Sequence, residues 1–224
     1  MTALRSASSP PIAANRDATV IRLHDHPLSG NGHKVRILLS MLGLPHEHVF
    51  RDVPSGRPQQ EPEFAVLNPL LQIPILEDGA TVIWDSQAIL VYLARRYGPD
   101  WFPLEPEPAA RVMQWLSFAT NEINNSLQQA RLYFLLGEHI DIDLMTRRGL
   151  RVLTILDREL AERPWLAADT ATIADLACYP YVGLSRQGKL PLDDFRHVIS
   201  WMERIEGLPG YIAMPGLLGT PPKP

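Results

Sequence analysis

A serine and an asparagine stand two residues apart in the segment Leu28-Ser29-Gly30-Asn31-Gly32. Each offers a hydrogen-bond donor, the hydroxyl of Ser29 and the amide N–H of Asn31. A helical pattern of apolar residues follows, and a helix N-terminus favours negative charge, so this turn is a candidate anion site. Its two glycines predict that backbone N–H groups can approach a ligand there. A serine–glycine turn with a purely structural role is the alternative.

A second candidate is the segment Gln72-Ile73-Pro74-Ile75. A proline that opens a strand is tolerated at a sheet edge or after a cis peptide bond. In the cis form, the N–H and C=O of Ile73 would be free to pair with an extended, peptide-like ligand. A trans proline on an edge strand would have only a structural role.

The third candidate is the pair Asp85-Ser86, which precedes a helical apolar pattern from Ile89 onward. Either residue can cap that helix, and this is the structural interpretation. The same pair can also bind charge, because a serine hydroxyl and unpaired N–H groups hold a carboxylate while Asp85 pairs with an ammonium. An α-amino acid carries both charges, so the pair suits an amino-acid head group.

Taken in order, these motifs resemble those of the cytosolic glutathione transferase family. The resemblance extends over roughly residues 19 to 208. It is carried by the serine-containing turn, the Asn-Pro-x-x-Gln-x-Pro segment Asn68 to Pro74, the Asp-Ser-x-Ala-Ile helix start at Asp85, and the [ST]-x-A-D capping box Thr172-Ile173-Ala174-Asp175.

The resemblance implies a nucleophilic reaction of glutathione, which would be the co-substrate. Ser29 would donate to its sulfur, as in serine-type members of the family. No tyrosine stands at the end of the first strand, where the tyrosine-type members have theirs, and no cysteine stands in the turn. Asn31 is a competing donor because its amide also carries N–H groups.

The binding residues follow from the same resemblance. Ile73, before a cis Pro74, would pair its backbone with the cysteinyl unit of glutathione. Asp85 and Ser86 would hold the γ-glutamyl head group, and Gln72 would reach the glycyl end. The second substrate would be a small apolar electrophile bound beside the helical half, with Arg111 and Arg131 as candidate neighbours of that pocket.

The elements that must position these residues follow from the hydrophobic pattern of the first half. Strand signals alternate with helical ones, which predicts an α/β domain. The expected elements are strands at 20–24, 46–50, 73–76 and 81–84, helices at 34–42, 62–67 and 86–97, a hairpin turn at Glu77-Asp78-Gly79, and a surface loop at 52–60.

Strand signals disappear in the second half. Four prolines between residues 98 and 108 mark a boundary. Helical faces follow over 112–134, with Phe134 on the apolar side, then over 150–160, from Thr172, and over 195–202. We therefore predict a mobile tail over 1–18, an α/β thioredoxin-like glutathione-binding domain over 19–98, a linker over 99–108, and an all-α C-terminal helical domain over 109–224.

Composition narrows the class of protein. With 21 Lys and Arg against 25 Asp and Glu, the chain lacks the basic footprint of a nucleic-acid binder. No stretch approaches the ~18 continuous apolar residues of a membrane span, and the first 17 residues contain no secretory signal. We expect a cytoplasmic protein. The histidines do not converge with cysteines, so we predict no metal site, and the single cysteine, Cys178, is expected to be buried.

The resemblance also implies a homodimer, in which the first domain of one subunit meets the helical domain of the other. Three other functions remain open on the same fold: a glutathione-dependent peroxidase, a dehalogenase or an isomerase. A non-catalytic protein that binds ligands or docks on a partner is a further alternative. A thiol-activating residue such as Ser29 distinguishes an enzyme from that last class.

Overall fold

The computed structural model describes residues 20–52 and 61–214. In the first half of this part of the chain, a four-stranded sheet has the order β2-β1-β3-β4. β1 is parallel to β2 and antiparallel to β3, and β3 is antiparallel to β4. This mixed sheet with its helices is the expected thioredoxin-like arrangement. The elements are β1 (Ile21–Asp25), α1 (Gly30–Met41), β2 (His46–Phe50), α2 (Pro62–Leu67), β3 (Ile75–Asp78), β4 (Thr81–Trp84) and α3 (Ser86–Tyr97).

Several boundaries differ from the sequence prediction: β1 spans 21–25 instead of 20–24, and β3 spans 75–78 instead of 73–76. Two differences follow from a side chain. Helix α1 begins at Gly30 rather than Lys34, since Ser29 caps it. The hairpin turn is Gly79-Ala80, one residue later than expected, because Asp78 stays in the strand and pairs with Thr81. The buried carboxylate of Asp78 accepts hydrogen bonds from the hydroxyls of two tyrosines of α3, Tyr92 at 2.8 Å and Tyr97 at 2.5 Å.

In the second half, every regular element within the described residues is a helix. Its elements are α4 (Pro106–Phe118), a π-helix (Ala119–Gln128), α5 (Gln129–Leu136), α6 (Ile142–Glu162), α7 (Ile173–Gly183) and α8 (Arg196–Glu206). Short 3₁₀ turns lie at Pro99–Trp101, Ser185–Gly188 and Leu192–Asp194. Helix α4 begins inside the predicted linker, because a proline at the first helical position lacks only an N–H that the helix would leave unpaired.

The predicted single helix over 112–134 is interrupted by the π-helix. Asn125 has non-helical angles, φ −80° and ψ 17°. Ser126 Oγ donates to the carbonyl of Glu122 at 2.5 Å, the kind of side-chain bond that bends a helix. Phe134, predicted to be buried, is 38% exposed, although Ala130, one turn earlier on the same face of α5, is buried as predicted. Arg131, beside Ala130, is only 4% exposed.

Helix α7 joins the two halves, and all its residues are buried. It packs against α1 and α3 of the first half and against α4 of the second. The predicted capping box is confirmed at its start, where Thr172 and Asp175 cap each other. The buried Asp175 carboxylate also accepts hydrogen bonds from Leu166 N at 3.0 Å and Trp201 Nε1 at 2.9 Å. One carboxylate thus ties α7 to α8 and to the segment that precedes it.

Three further expectations concern the cysteine, the tail and the loop, and membrane-spanning helices. Cys178 is buried in α7, as predicted. The predicted tail over 1–18 lies outside the described residues, as does all of the 52–60 loop except Asp52. Over the ranges 20–52 and 61–214, no helix is both long and apolar enough to cross a membrane.

Candidate functional site

The turn before α1 is held in place by the backbone and side chain of Ser29. Its N–H donates to the carbonyl of His26 at 2.8 Å, and its carbonyl accepts from His33 N at 2.9 Å. Its Oγ accepts from Gly32 N at 3.0 Å, which completes an N-cap. Because this bond uses a lone pair of the oxygen, the hydroxyl proton of the half-buried Ser29 remains able to donate.

The two glycines of the turn are required by close packing within the protein. A Cβ at Gly30 would lie 2.7 Å from the ring of Tyr181, and one at Gly32 would lie 1.8 Å from Asp25 Oδ1. The glycines are therefore needed for packing against Asp25 and Tyr181. That their N–H groups approach a ligand stays a prediction.

Lys34 orients the side chain of Asn31. It is fully buried, and its Nζ donates to Asn31 Oδ1 at 2.8 Å while lying 5.5 Å from the centre of the Tyr181 ring. An ammonium has no acceptor, so it can only bond the oxygen of the amide. The N–H₂ end of Asn31 is thereby left as the free end.

The environment of Lys34 disfavours its charge. Burial lowers the pKa of Lys34 to about 8, although the negative charge of Asp85 opposes this fall. The Cys178 thiol also lies close by, but burial raises the pKa of that thiol and keeps it uncharged at neutral pH. Lys34 is thus a buried cation whose nearest polar partner is a neutral amide.

Arg36 holds the other side of the same turn. Its guanidinium pairs with the buried Asp25 carboxylate and donates to the carbonyl of Pro27 at 3.0 Å. Burial raises the pKa of Asp25 to about 7, and Arg36 opposes that rise. The Arg36–Asp25 ion pair and the bond from Arg36 to Pro27 therefore hold the β1–α1 turn that carries Ser29 in place.

The segment before β3 has the predicted cis peptide bond between Ile73 and Pro74. Asn68 shapes this segment, since its Nδ2 donates to the carbonyl of Gln72 at 2.8 Å and its Oδ1 accepts from Leu70 N at 2.9 Å. In the part of the chain that the structure describes, the backbone of Ile73 forms no hydrogen bond. The Gln72 side chain is exposed.

Asp85 caps α3, as the structural interpretation of this segment predicted. Its Oδ1 accepts from Gln87 N at 2.9 Å and from Ala88 N at 3.1 Å. Its φ of +77° is rare for a residue with a side chain and marks local strain, which is typical of functional sites. Neither the hydroxyl nor the N–H of Ser86 has a partner among the described residues. Capping therefore leaves one oxygen of Asp85 and both donors of Ser86 available.

The register of the sheet brings the three candidate segments together. His24, near the end of β1, pairs with Ile75 at the start of β3, and Ile75 pairs with Trp84 at the end of β4. The turn after β1, the segment before β3 and the start of α3 therefore meet at one end of the sheet. Lys34 connects them further, because it bonds Asn31 and lies within the electrostatic reach of Asp85.

Several site residues were not predicted from the sequence. Tyr181 comes from α7 and covers the start of α1, and Lys34 lies beneath the same turn. Gln87 is 9% exposed, and both polar atoms of its amide lack a partner within the described ranges. The one available signal was Lys34, a charged residue four positions before the apolar Leu38 on the buried face of a helix.

Comparison with known proteins places these features in a family. Residues 19–95 match the model of the glutathione S-transferase N-terminal domain, and residues 142–209 match that of the C-terminal domain. Glutathione S-transferase 3 of Zea mays is 31% identical over 216 residues, which cover 91% of this chain and 97% of that protein.

Two further relatives have different descriptions. The disulfide-bond oxidoreductase YfcG of Escherichia coli is 28% identical, over 80% of this chain and 87% of that protein. The solved structure of Ure2p in complex with glutathione is similar at a TM-score of 0.79 and 27% identity, over 88% of this chain and 98% of that chain. The similarity to all three spans both halves of the chain.

The buried Lys34 generates a prediction about stability. Its pKa is about 8 in the folded protein and 10.5 as a free side chain, so between these values the unfolded chain binds more protons. The free energy of unfolding of the wild type should then rise with pH across this window, because the folded state binds fewer protons than the unfolded chain. Lys34→Met lacks this rise, so its stability relative to the wild type should fall by about 3 kcal/mol as the pH increases.

Urea unfolding at several pH values measures this difference. Arg95→Met is a suitable control, since Arg95 is an exposed cation on α3 and its replacement should give a pH-independent difference. A constant difference between Lys34→Met and the wild type across the window would contradict the burial argument.

Proposed function

Because this chain belongs to the glutathione S-transferase family, we propose that it binds glutathione and joins the glutathione sulfur to a small apolar electrophile. The observation that carries the proposal is the meeting of three segments at one end of the sheet, through the paired residues His24, Ile75 and Trp84. Each segment offers groups that suit a different part of the tripeptide.

The proposed binding uses the groups that the protein leaves unpaired. Asp85 receives the ammonium of the γ-glutamyl unit, and the hydroxyl and N–H of Ser86 hold its carboxylate. The backbone of Ile73 pairs with the cysteinyl unit as a short strand would. Gln72, exposed at the edge of the segment, reaches the glycyl end. The solved complex of Ure2p with glutathione supports this choice of ligand.

The proposed activation requires only a small electrostatic stabilisation of the glutathione thiolate. An ordinary thiol, with a pKa of ~8.5, is a few per cent ionised at pH 7. Lowering that pKa by about two units requires about 2.7 kcal/mol in favour of the anion. A hydrogen bond to a charged acceptor contributes roughly 1.5–3 kcal/mol, and the dipole of a helix N-terminus roughly 0.3–1 kcal/mol. The Ser29 hydroxyl together with α1 is therefore sufficient.

Asn31 serves in this proposal as a second donor. Lys34 occupies its amide oxygen and turns the N–H₂ outward. One N–H group of α1 is used inside the protein, since Gly32 N donates to Ser29 Oγ, and the start of the helix contributes its dipole. The thiolate then attacks the electrophilic carbon, a C–S bond forms, and the leaving group departs with its electron pair.

The similarity to a disulfide-bond oxidoreductase supports a second candidate function. In that reaction the same thiolate would attack the sulfur of a disulfide. Cys178 is buried and its pKa is raised by burial, so it is a poor nucleophile for such an exchange. The exchange would have to run on glutathione itself. Both candidates need the thiolate, whereas a non-catalytic ligand-binding protein does not.

We propose in addition that the protein is a homodimer. Apolar side chains are exposed on the sheet edge and on α4: Val82 is 42%, Trp84 39% and Met113 48% exposed. A groove of about 730 Å³ between β4–α3 and α4 is lined by Ile83, Val91, Met113 and Leu116, with Asp85 at its edge. Such a surface is typical of one that another protein surface covers.

The role of Ser29 can be tested with a pair of variants. Ser29→Thr keeps both the hydroxyl and the capping oxygen, and Ser29→Ala loses both. We expect Ser29→Ala to lower kcat with an aryl halide by about 10- to 100-fold, the effect of one hydrogen bond to a charged acceptor. Its affinity for glutathione should change far less, because the tripeptide keeps its other contacts.

Steady-state kinetics and titration of the bound thiol by ultraviolet absorbance measure both effects. Ser29→Thr should stay close to the wild type. If Ser29→Ala keeps full activity while Asn31→Ala loses it, the activating donor is the amide and not the hydroxyl.

The γ-glutamyl site is tested by a change that spares the cap. Asp85→Asn keeps the oxygen that accepts from Gln87 N and Ala88 N but removes the charge. Glutathione should bind about 10- to 100-fold more weakly by calorimetry, since an ammonium loses a charged partner. The matched control is Asp141→Asn, the cap of α6, where one bond to Leu144 N is made. Equal affinity in both variants would reject the assignment.

The dimer is tested by mass in solution. Light scattering should give about twice the chain mass of 25.1 kDa. Met113→Glu places a charge in the groove and should shift the mass toward one chain. Leu135→Glu, at an apolar position that is 45% exposed at the far end of α5, should leave the mass unchanged. A wild-type mass of one chain would end this proposal.

A further inference from the structure

Arg131 is a buried cation that no carboxylate neutralises within the described chain. It lies on α5 and is 4% exposed. Its hydrogen-bond partner there is neutral, since Nε donates to Gln187 Oε1 at 2.5 Å. Buried arginines are rarely left without an anion, because removing a charge from water is costly. This environment therefore suits an anion that the protein does not itself supply.

The position of Gln187 is set by close packing. It lies in the 3₁₀ turn Ser185–Gly188, which follows α7. A Cβ at Gly188 would lie 3.0 Å from Ala130 Cβ and 3.2 Å from Arg131 N, so the turn rests directly on α5. Gln187 occupies Nε, and the two terminal nitrogens of the guanidinium have no partner in the described ranges. Two parallel N–H groups match the two oxygens of a carboxylate.

The charge of Arg131 acts on the proposed glutathione site. Burial lowers the pKa of Arg131, and its interaction with Tyr181 opposes this. Burial also lowers the pKa of His26, and the charge of Arg131 contributes to that lowering. The Tyr181 ring covers Gly30, and the carbonyl of His26 accepts from Ser29 N at 2.8 Å. Because its charge acts on Tyr181 and His26, the guanidinium lies within electrostatic reach of the turn that carries the sulfur-activating donors.

We propose that Arg131 and Gln187 form a carboxylate subsite for the second substrate, so that the electrophile carries an acidic group as well as its reactive carbon. This inference rests on the proposed function, because it names the substrate class of the same site. The anionic sulfur is served by Ser29 and Asn31, which leaves the free end of Arg131 for the substrate.

The reaction of a chlorinated aryl carboxylate illustrates the role. Sulfur attacks the carbon that bears chlorine, the C–S bond forms, and chloride leaves with the bonding electrons. The proton of the thiol passes to solvent, and the carboxylate keeps its charge throughout. Arg131 would therefore bind substrate and transition state alike, so its loss should raise KM more than it lowers kcat.

Two glutathione conjugates test the subsite without any turnover. S-(4-carboxy-2-nitrophenyl)glutathione and its carboxamide analogue have nearly the same shape and differ in one charge. Calorimetry on the wild-type protein should show tighter binding of the carboxylate, on the order of 10- to 100-fold. Equal affinities would overturn the proposal.

Variants assign the preference to Arg131. Arg131→Met removes the charge and keeps most of the apolar stem, so it should bind both conjugates equally, with the carboxamide affinity unchanged. Arg163→Met is the matched control, because Arg163 is a solvent-accessible arginine at the end of α6 that pairs with Glu159 at 2.9 Å. If Arg131→Met does not fold, Arg131→Lys should show a reduced preference, since an ammonium lacks the paired donors.

The remaining outcomes distinguish a failure of the carboxylate subsite from a failure of the proposed glutathione-dependent function. A preference that persists in Arg131→Met or Arg131→Lys at full strength overturns the subsite. If Arg131→Met leaves the preference unchanged and also raises the pKa of the bound thiol, the guanidinium serves the sulfur and not the substrate carboxylate. If the wild type binds neither glutathione nor a conjugate, the proposed function fails. Binding of glutathione with equal affinity for both conjugates rejects the carboxylate subsite alone.

Discussion

The packing of the first turn of α1 between Asp25 and Tyr181 is the constraint on which the site depends. Neither Gly30 nor Gly32 has room for a Cβ, because the ring of Tyr181 and the carboxylate of Asp25 already occupy that space. Asp25 belongs to the sheet and Tyr181 to the helical half. The turn that carries Ser29 is therefore positioned by both halves at once, and a displacement of α7 would move it.

The buried groups around this turn include more cations than paired carboxylates. Arg36, Lys34 and Arg131 all lie close to the start of α1, yet among the described residues only Arg36 pairs with a carboxylate. Lys34 and Arg131 have neutral amides as partners. An excess of positive charge in a poorly solvated region stabilises an anion placed there. The same arrangement that weakens the fold therefore favours a thiolate, or an anionic substrate, at the sheet end.

The features that sequence predicted well are local. The cap at Asp85, the capping box at Thr172 and the strands over 46–50 and 81–84 each follow from a few neighbouring residues, whose preferences the structure keeps. The cis bond before Pro74 was expected from the family resemblance and is present. Whether Ser29 or Asn31 serves the sulfur stays a prediction, because no ligand contact distinguishes their donors.

The features that sequence did not predict depend on residues far apart in the chain. The glycines of the turn were interpreted through their own flexibility, whereas the space beside Gly30 is filled by Tyr181, about 150 residues later, and such a contact leaves no local pattern. The burial of Arg131 likewise depends on a distant segment, because the turn Ser185–Gly188 packs on α5 and supplies Gln187, whose Oε1 accepts from Arg131 Nε at 2.5 Å. Phe134 lies one helical turn after the buried Ala130, yet it is 38% exposed, so the apolar pattern of α5 does not by itself decide which of its side chains are covered. The segment that covers the cation lies 56 residues further along the chain, and a local pattern cannot contain that contact.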